Sequence, residues 1–422
     1  MSTEKRVVVL GGGIGGLEVA AALGRQRDAK VTLVDPNDVH IWKPVLHEFA
    51  AGTIDAPENV FPFTKLAQKF GFDFIQSVAT QINRADKKLT LKEGNILDYD
   101  YLVVSIGGRI NDFGTPGVQE HCLFLDSIND AYYLNEVFSE AVKQAQLEAK
   151  PLTLAIIGGG ATGVQLAAEF CKAIDSVPEL GVAGRKKYLK AVIIEAMPRI
   201  LPAFPESVSE EAKKQFTDIG FEVLTEATVS SVDETGIKLK DGRHIEAQIR
   251  IWAAGVQAAK GTSLFSDLDL GRGGQIVVTP TLQSTKDPAI FAVGDCSRIE
   301  SNPIAPTAQA ARQEGRYVGH VALPALMNGT TPAPFNYVDR GAVVVLGNYN
   351  AWGMWPSKKA FGGSGMGASF AQFIHEGLYR QHQFDLTGLM HTAGIALRDH
   401  FSHHHPELIS GSSEKDAPHS PK

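Results

Sequence analysis

The chain has 422 residues, 44% of them hydrophobic and 21% charged, a length that suggests two or three domains and a composition ordinary for a globular protein. Its formal charge of -7 and pI near 6.0 exclude a protein whose main task is to hold nucleic acid, which needs a basic surface for phosphate. Three scattered cysteines, Cys122, Cys171 and Cys296, form no CxxC pair, so neither a disulfide framework nor a zinc or other metal site is expected, and a reducing cytoplasm fits.

The opening MSTEKRVVVL passes from a few polar residues straight into a strand, without the apolar core and cleavage site of a signal peptide. No apolar run reaches roughly 18 residues, so no transmembrane helix is expected and any membrane contact is peripheral. The β-branched run in RVVVL suits a strand buried on both faces of a parallel sheet, and GGGIGG follows it at once, with the spacing Gly11-x-Gly13-x-x-Gly16. In that spacing the first glycine allows the tight turn, the second lets the backbone approach a pyrophosphate, and the third lets the next helix pack closely on the strand. The helix N-terminus then faces the phosphates. The following strand, KVTLVD, ends in Asp35, about 20 residues on, where an acid can bind a ribose hydroxyl.

A second unit repeats the pattern: the strand LTLAII, then Gly158-x-Gly160-x-x-Gly163, then the helix VQLAAEFCKAI. Its acid, Glu195, comes later than usual because DSVPELGVAGRKKYLK intervenes before the strand AVIIEA. Two dinucleotide folds imply two dinucleotides, and the economical purpose is to pass a hydride between them. Three more strands end in small residues: YDYLVVSIGG, AQIRIWAAGV, and DPAIFAVGDC with its Gly294-Asp295 pair.

These five segments, in this order from about residue 6 to 320, resemble the two-dinucleotide-binding flavoproteins. The resemblance implies FAD on Gly11, Gly13, Gly16 and Asp35, with Asp295 on the ribityl chain and Lys43, Gly107 and Ala308 as further cofactor contacts. It implies NADH on Gly158, Gly160, Thr162, Gly163, Glu195, Ala254 and Gly255. A carboxylate at Glu195 should bond a 2′-hydroxyl and repel a 2′-phosphate, which favours NADH over NADPH. Arg199 nearby could accommodate that phosphate instead.

Within the superfamily, disulfide reductases carry a redox cysteine pair after the first helix, where this chain reads HIWKPVLHEFAAGTID. Sulfide:quinone oxidoreductases carry cysteines at the second glycine turn and near the C-terminus, where this chain has none. The stretch IAPTAQAARQEGRYVGH resembles the AQxxxQ motif of the type II NADH:quinone oxidoreductases, and FNYVDRG resembles the segment that follows it there. Gln309 and Gln313 lie four apart on one helical face, and their neutral amides can bond quinone carbonyls without bringing charge into an apolar channel. Members of that family usually have glutamate where this chain has Gln165; an amide there has no titrating proton and is expected to position nicotinamide or a water.

The C-terminal part carries two apolar helical stripes, one of Phe370, Phe373, Ile374 and Leu378, the other of Leu386, Leu389, Met390, Ala393 and Leu397. Residues 366–401 are expected to touch a membrane or form a dimer interface, although they lack tryptophan and their charge is close to balanced. The run His403 to His405 and the tail beyond it are expected to be solvated and disordered.

The fold expected is α/β, with two Rossmann-like dinucleotide-binding domains, the second inserted in the first. An FAD domain is assembled from residues 1–117 and 281–330, an NADH domain occupies 118–280, and a C-terminal α/β segment with amphipathic helices spans 331–405, before a tail at 406–422. The expected partners are NADH and a quinone, in a homodimer peripheral on the cytoplasmic face of the inner membrane. Other readings are a soluble NAD(P)H-dependent flavoprotein reductase, a sulfide:quinone-type enzyme, or a flavin and nucleotide redox sensor.

Overall fold

The computed structural model describes residues 4–26, 29–54 and 59–401. Two parallel sheets organise it. The first has five strands in the order Ile290–Ala292, Tyr101–Val104, Lys5–Leu10, Ala29–Asp35, Asp73–Gln76. Its central strands are Val- and Leu-rich because helices cover both faces, and Val7, Val8, Val9, Leu102, Val103 and Val104 are all buried. The second sheet runs Phe221–Leu224, Leu189–Ile194, Leu152–Ile157, Ile249–Trp252. Its strands come from one continuous stretch, whereas the first sheet takes its last strand from far downstream, next to Tyr101–Val104. Between the two, Gly108–Ile110 pairs antiparallel with Val256–Ala258, so the chain leaves one unit and re-enters it along adjacent strands.

The late arrival of Glu195 has a visible cause. An extra helix, Gly181–Tyr188, is inserted before the Leu189–Ile194 strand. Its buried Arg185 pairs with Asp175 at 2.7 Å and donates to the Ile219 carbonyl, which fastens the insertion to the core.

The C-terminal part is an antiparallel meander, Ala342–Leu346, Asn350–Met354 and Ala360–Gly363, followed by the helices Met366–Thr387 and Leu389–Phe401. The second of the two sequence stripes does not survive as one face. The helix breaks at Gly388 (φ 90), so Leu386 before the break is buried while Leu389 and Met390 after it are 70% and 90% exposed. Tyr379 packs in the core under the second sheet, and Leu386 packs in the core of the first. This one helix therefore ties both units together. The His403 to His405 run and the tail lie outside the described residues.

Candidate functional site

The two glycine turns are built alike. At the first, a Cβ on Gly11 would lie 2.3 Å from the Ser105 carbonyl oxygen, and one on Gly16 would lie 1.9 Å from that of Gly11. At the second, a Cβ on Gly158 would lie 2.7 Å from Ala253, and one on Gly163 would lie 2.1 Å from the Gly158 carbonyl oxygen. Those four glycines answer to the protein's own close packing. Gly13 and Gly160 do not: a Cβ on either meets nothing within 4 Å, and neither has positive φ. The middle glycines therefore border open space at a helix N-terminus, the cradle a pyrophosphate requires.

The acids are wired alike too. Asp35 accepts the Gly12 N–H at 2.6 Å and the Asn37 N–H at 2.8 Å. Glu195 accepts the Gly159 N–H at 2.6 Å and the Met197 N–H at 2.7 Å. The Asp35 oxygen bonded to Asn37 also accepts that residue's side-chain amide at 3.0 Å, so the Asp35 oxygen bonded to Gly12 and both oxygens of Glu195 keep a lone pair for a ribose hydroxyl. Burial pushes the Asp35 carboxyl above its ordinary range, while the bonds to Gly12 and Asn37 and the charge of Lys43 pull it down. Arg199 is occupied elsewhere, donating to the Phe204 carbonyl and the Ser209 hydroxyl at 2.7 Å each and to the Pro202 carbonyl at 3.1 Å.

A cleft of about 410 Å³ runs along the first turn, bordered by Gly11, Gly13, Asp35, Lys43, Gly107 and Asp126. Lys43 is the cation between three carboxyls. Burial raises the Asp35, Asp126 and Asp295 carboxyls, and Lys43 opposes the rise in all three. Asp126, which accepts the Ile110 N–H at 2.9 Å, carries no motif, and its place in the cleft was not visible in the sequence. Gly107 has φ 71 with nothing within 4 Å of its Cβ position, another open cradle.

On the second fold, Gly160 caps the Ala161–Asp175 helix and Thr162 is exposed on its first turn. Ala254 and Gly255 follow the Ile249–Trp252 strand, and the Phe113 ring lies over Gly255. Gln165, inside this helix, is only 8% exposed, and its side-chain amide has no hydrogen-bond partner among the described residues.

Ala308 opens the Ala308–Tyr317 helix, whose N-cap Thr307 accepts the Ala310 N–H. Gln309 and Gln313, expected to bond quinone carbonyls, each bond the segment that follows the helix. Gln309 accepts the Arg340 N–H at 2.7 Å and donates to the Gly341 carbonyl at 3.3 Å. Gln313 accepts the Val338 N–H at 3.0 Å and donates to the Val338 carbonyl at 2.9 Å. Each imitates a neighbouring strand and clamps the FNYVDRG segment against the helix, keeping one N–H and one lone pair in reserve.

Cys122, Cys171 and Cys296 are all buried, and burial pushes each thiol up to about 12. None is a thiolate nucleophile near neutral pH. Among the described residues there is no cluster of His, Cys, Asp or Glu able to hold a metal.

Comparison with known proteins agrees with this build. The family model for pyridine nucleotide-disulphide oxidoreductases matches residues 5–315. The type II NADH:quinone oxidoreductase of Haemophilus influenzae is 36% identical over 431 residues, covering 94% of this chain and 97% of that protein. The type II NADH:quinone oxidoreductase of Staphylococcus aureus is 31% identical over 370 residues, covering 83% and 90%. Among solved structures, NDH2 from Plasmodium falciparum in complex with NADH superposes with a TM-score of 0.83 at 20% identity, over 96% of this chain and 100% of that one. With near-complete coverage at such identity, and with a doubled dinucleotide cradle that no reactive thiol accompanies, the chain belongs to the type II NADH:quinone oxidoreductases, within the pyridine nucleotide-disulphide oxidoreductase family.

Proposed function

We propose that the chain passes a hydride from NADH to FAD and two electrons onward to a quinone, without pumping protons. The observation that carries this reading is the pair of matched cradles, Gly13 with Asp35 and Gly160 with Glu195, each open where a pyrophosphate would lie. FAD, when bound, supplies a ring that accepts two electrons as hydride and releases them to a second substrate. The chain supplies position. Gly11, Gly13 and Gly16 receive the FAD pyrophosphate, Asp35 the adenosine ribose, and Asp295 the ribityl chain, with Lys43 offsetting the charge. Gly158, Gly160, Thr162 and Gly163 receive NADH, Glu195 selects its ribose, and Ala254 and Gly255 border its nicotinamide half. Gln165, with an unspent amide, orients nicotinamide or a water. Gln309 and Gln313 hold the wall of the quinone site through residues 338–341 and offer it their remaining N–H groups.

The same reading places the protein as a homodimer, peripheral on the cytoplasmic face of the inner membrane and docked through residues 366–401. Met366, Phe370, Phe373, Leu389 and Met390 support it, being half to nine-tenths exposed. The helix has no tryptophan of its own, but the preceding hairpin turn offers Trp355, tilted against the Phe361 ring at 4.6 Å and flanked by exposed Lys358 and Lys359. An aromatic ring beside lysines suits a headgroup layer. No helix among the described residues is long and apolar enough to cross a membrane.

The test is NADH oxidation with ubiquinone and menaquinone analogues, with and without vesicles, beside stopped-flow of each half-reaction. Fast reduction by NADH and fast reoxidation by quinone are expected. Fast reduction with no reoxidation by either quinone would remove the quinone from the assignment and leave a reductase for another acceptor.

A further inference from the structure

Glu314 stands outside every motif used so far, yet it is the most deeply placed acid of the flavin side. It lies on the Ala308–Tyr317 helix, is 4% exposed, and its Oε2 accepts the Gly294 N–H at 2.6 Å and the Ser297 hydroxyl at 3.1 Å. Those two donors bracket the turn that presents Asp295. Gly294 has φ 73, a conformation whose N–H finds no strand or helix partner, so the carboxylate is what satisfies it. We propose that Glu314 is a positioning residue for FAD: it clasps the Gly294–Cys296 turn that presents Asp295, and its negative charge sets how readily the bound flavin accepts hydride. This rests on the first fold holding FAD.

The surroundings make that charge consequential. The titratable groups facing Glu314 are Asp295 and the Cys296 thiol on the turn and the Tyr337 phenol on the segment packed over the helix, and none is a cation. Lys43 offsets Asp295 but is not among the groups acting on Glu314. Burial first, and the neighbouring Asp295 as well, push the Glu314 carboxyl up to about 7, against the pull of its bonds to Gly294 and Ser297. The group therefore changes charge near neutral pH.

Hydride transfer takes two electrons and one hydrogen nucleus from NADH, which leaves as NAD+, and the flavin side then carries one more negative charge. A proton drawn from solvent onto a Glu314 oxygen restores the balance. Above pH 7, reduction should thus take up one proton more than hydride transfer alone requires, adding about tenfold per pH unit to the fall of the reduction equilibrium constant, or ~30 mV for a two-electron couple.

The experiment is a spectroelectrochemical titration of the holoprotein from pH 6 to 9, for the parent, Glu314→Gln and Ser297→Ala. An amide whose oxygen takes the place of Oε2 keeps both bonds of the turn, accepting from the Gly294 N–H and from the Ser297 hydroxyl, while removing the charge. Glu314→Gln should lose the steeper slope above pH 7 and, at pH 8, sit at a higher potential by an amount on the order of tenfold in equilibrium constant. Ser297→Ala keeps the charge but removes a bond to the ionised form, so its change of slope should move to higher pH, and this holds if Glu314→Gln does not fold. Identical slopes in parent and Glu314→Gln, or an unmoved break in Ser297→Ala, overturn the proposal. Gly13→Asp, whose new charge would face the pyrophosphate, should lose FAD. If it retains FAD, the placement of FAD in the first fold has failed, and not the role of Glu314 alone.

Discussion

The imidazoles of His40 and His382 meet Nε2 to Nε2 at 3.1 Å, and the other ring nitrogen of His40 lies 2.8 Å from the Gly12 carbonyl oxygen. A carbonyl only accepts, so Nδ1 of His40 carries its proton, Nε2 of His40 accepts, and His382 donates. The Trp42 ring stacks on His382 at 4.3 Å. The C-terminal helix is thus joined to the first glycine turn through two neutral imidazoles, and a second proton on His40 would set N–H against N–H.

Acid sensitivity follows from this contact. Burial lowers His40 to about 4 and holds His382 well below its usual value, with His40 and Arg312 adding to the latter. His47, also buried, is lowered to about 4. A histidine depressed in the folded state contributes stability that is complete above pH 6.5 and is lost as pH falls toward 4. Each can contribute up to about 1.4 kcal/mol per pH unit in that window. Calorimetry should show the unfolding temperature falling from pH 6.5 to 4. His382→Gln should be less stable at pH 8 by about 1 kcal/mol and show a shallower fall, His47 still contributing. An equally steep fall would locate the acid sensitivity elsewhere.

Gly160→Ala should separate folding from binding. Its Cβ meets no protein atom, so the cost to stability should stay within about 1 kcal/mol, the usual range at a helix N-cap. The same methyl group intrudes on the NADH cradle, and KM for NADH should rise on the order of tenfold. An unchanged KM would move the nucleotide away from this turn.

Glu195→Ser should relax the choice between NADH and NADPH, by roughly tenfold in the ratio of kcat/KM, because a carboxylate facing a 2′-phosphate is repulsive. Arg199 is already bonded to Phe204, Pro202 and Ser209, so the parent should prefer NADH strongly. Equal kcat/KM for both cofactors in the parent would show that Glu195 does not select.

Gln309→Leu and Gln313→Leu each remove two bonds from the 338–341 segment. About 1–3 kcal/mol of stability should go with them. Reoxidation of reduced flavin by quinone should slow roughly tenfold, while reduction by NADH in stopped flow stays nearly as it was. If both half-reactions fall together, the clamp serves the flavin or the fold rather than the quinone.

At Gln165 the unspent amide predicts that Gln165→Glu adds an ionisation to the pH profile of turnover, and that Gln165→Ala slows hydride transfer without adding one. Parent-like rate and profile in both variants would make the position ordinary helix.

Chemistry carried by a short stretch was readable from the sequence by itself. The two glycine turns and the strands that lead into them depend on residues a few positions apart, where spacing dictates geometry, and Asp35 and Glu195 are found as the acids that end the next strand of each unit. What the tertiary structure alone decided involves partners with no local signature. His40 and His382 are 342 residues apart, and nothing near either one announces the other. Asp126 enters the cleft only because the chain crosses between the two units beside Gly108–Ile110. The same holds for the glutamines: helical spacing put Gln309 and Gln313 on one face, but a segment about 25 residues further on determined what that face holds. Periodicity showed where apolar stripes lie in the C-terminal helices. The break at Gly388 and the pull of two separate cores then divided them, since burial is a property of what packs on a residue and not of the residue's place in a repeat.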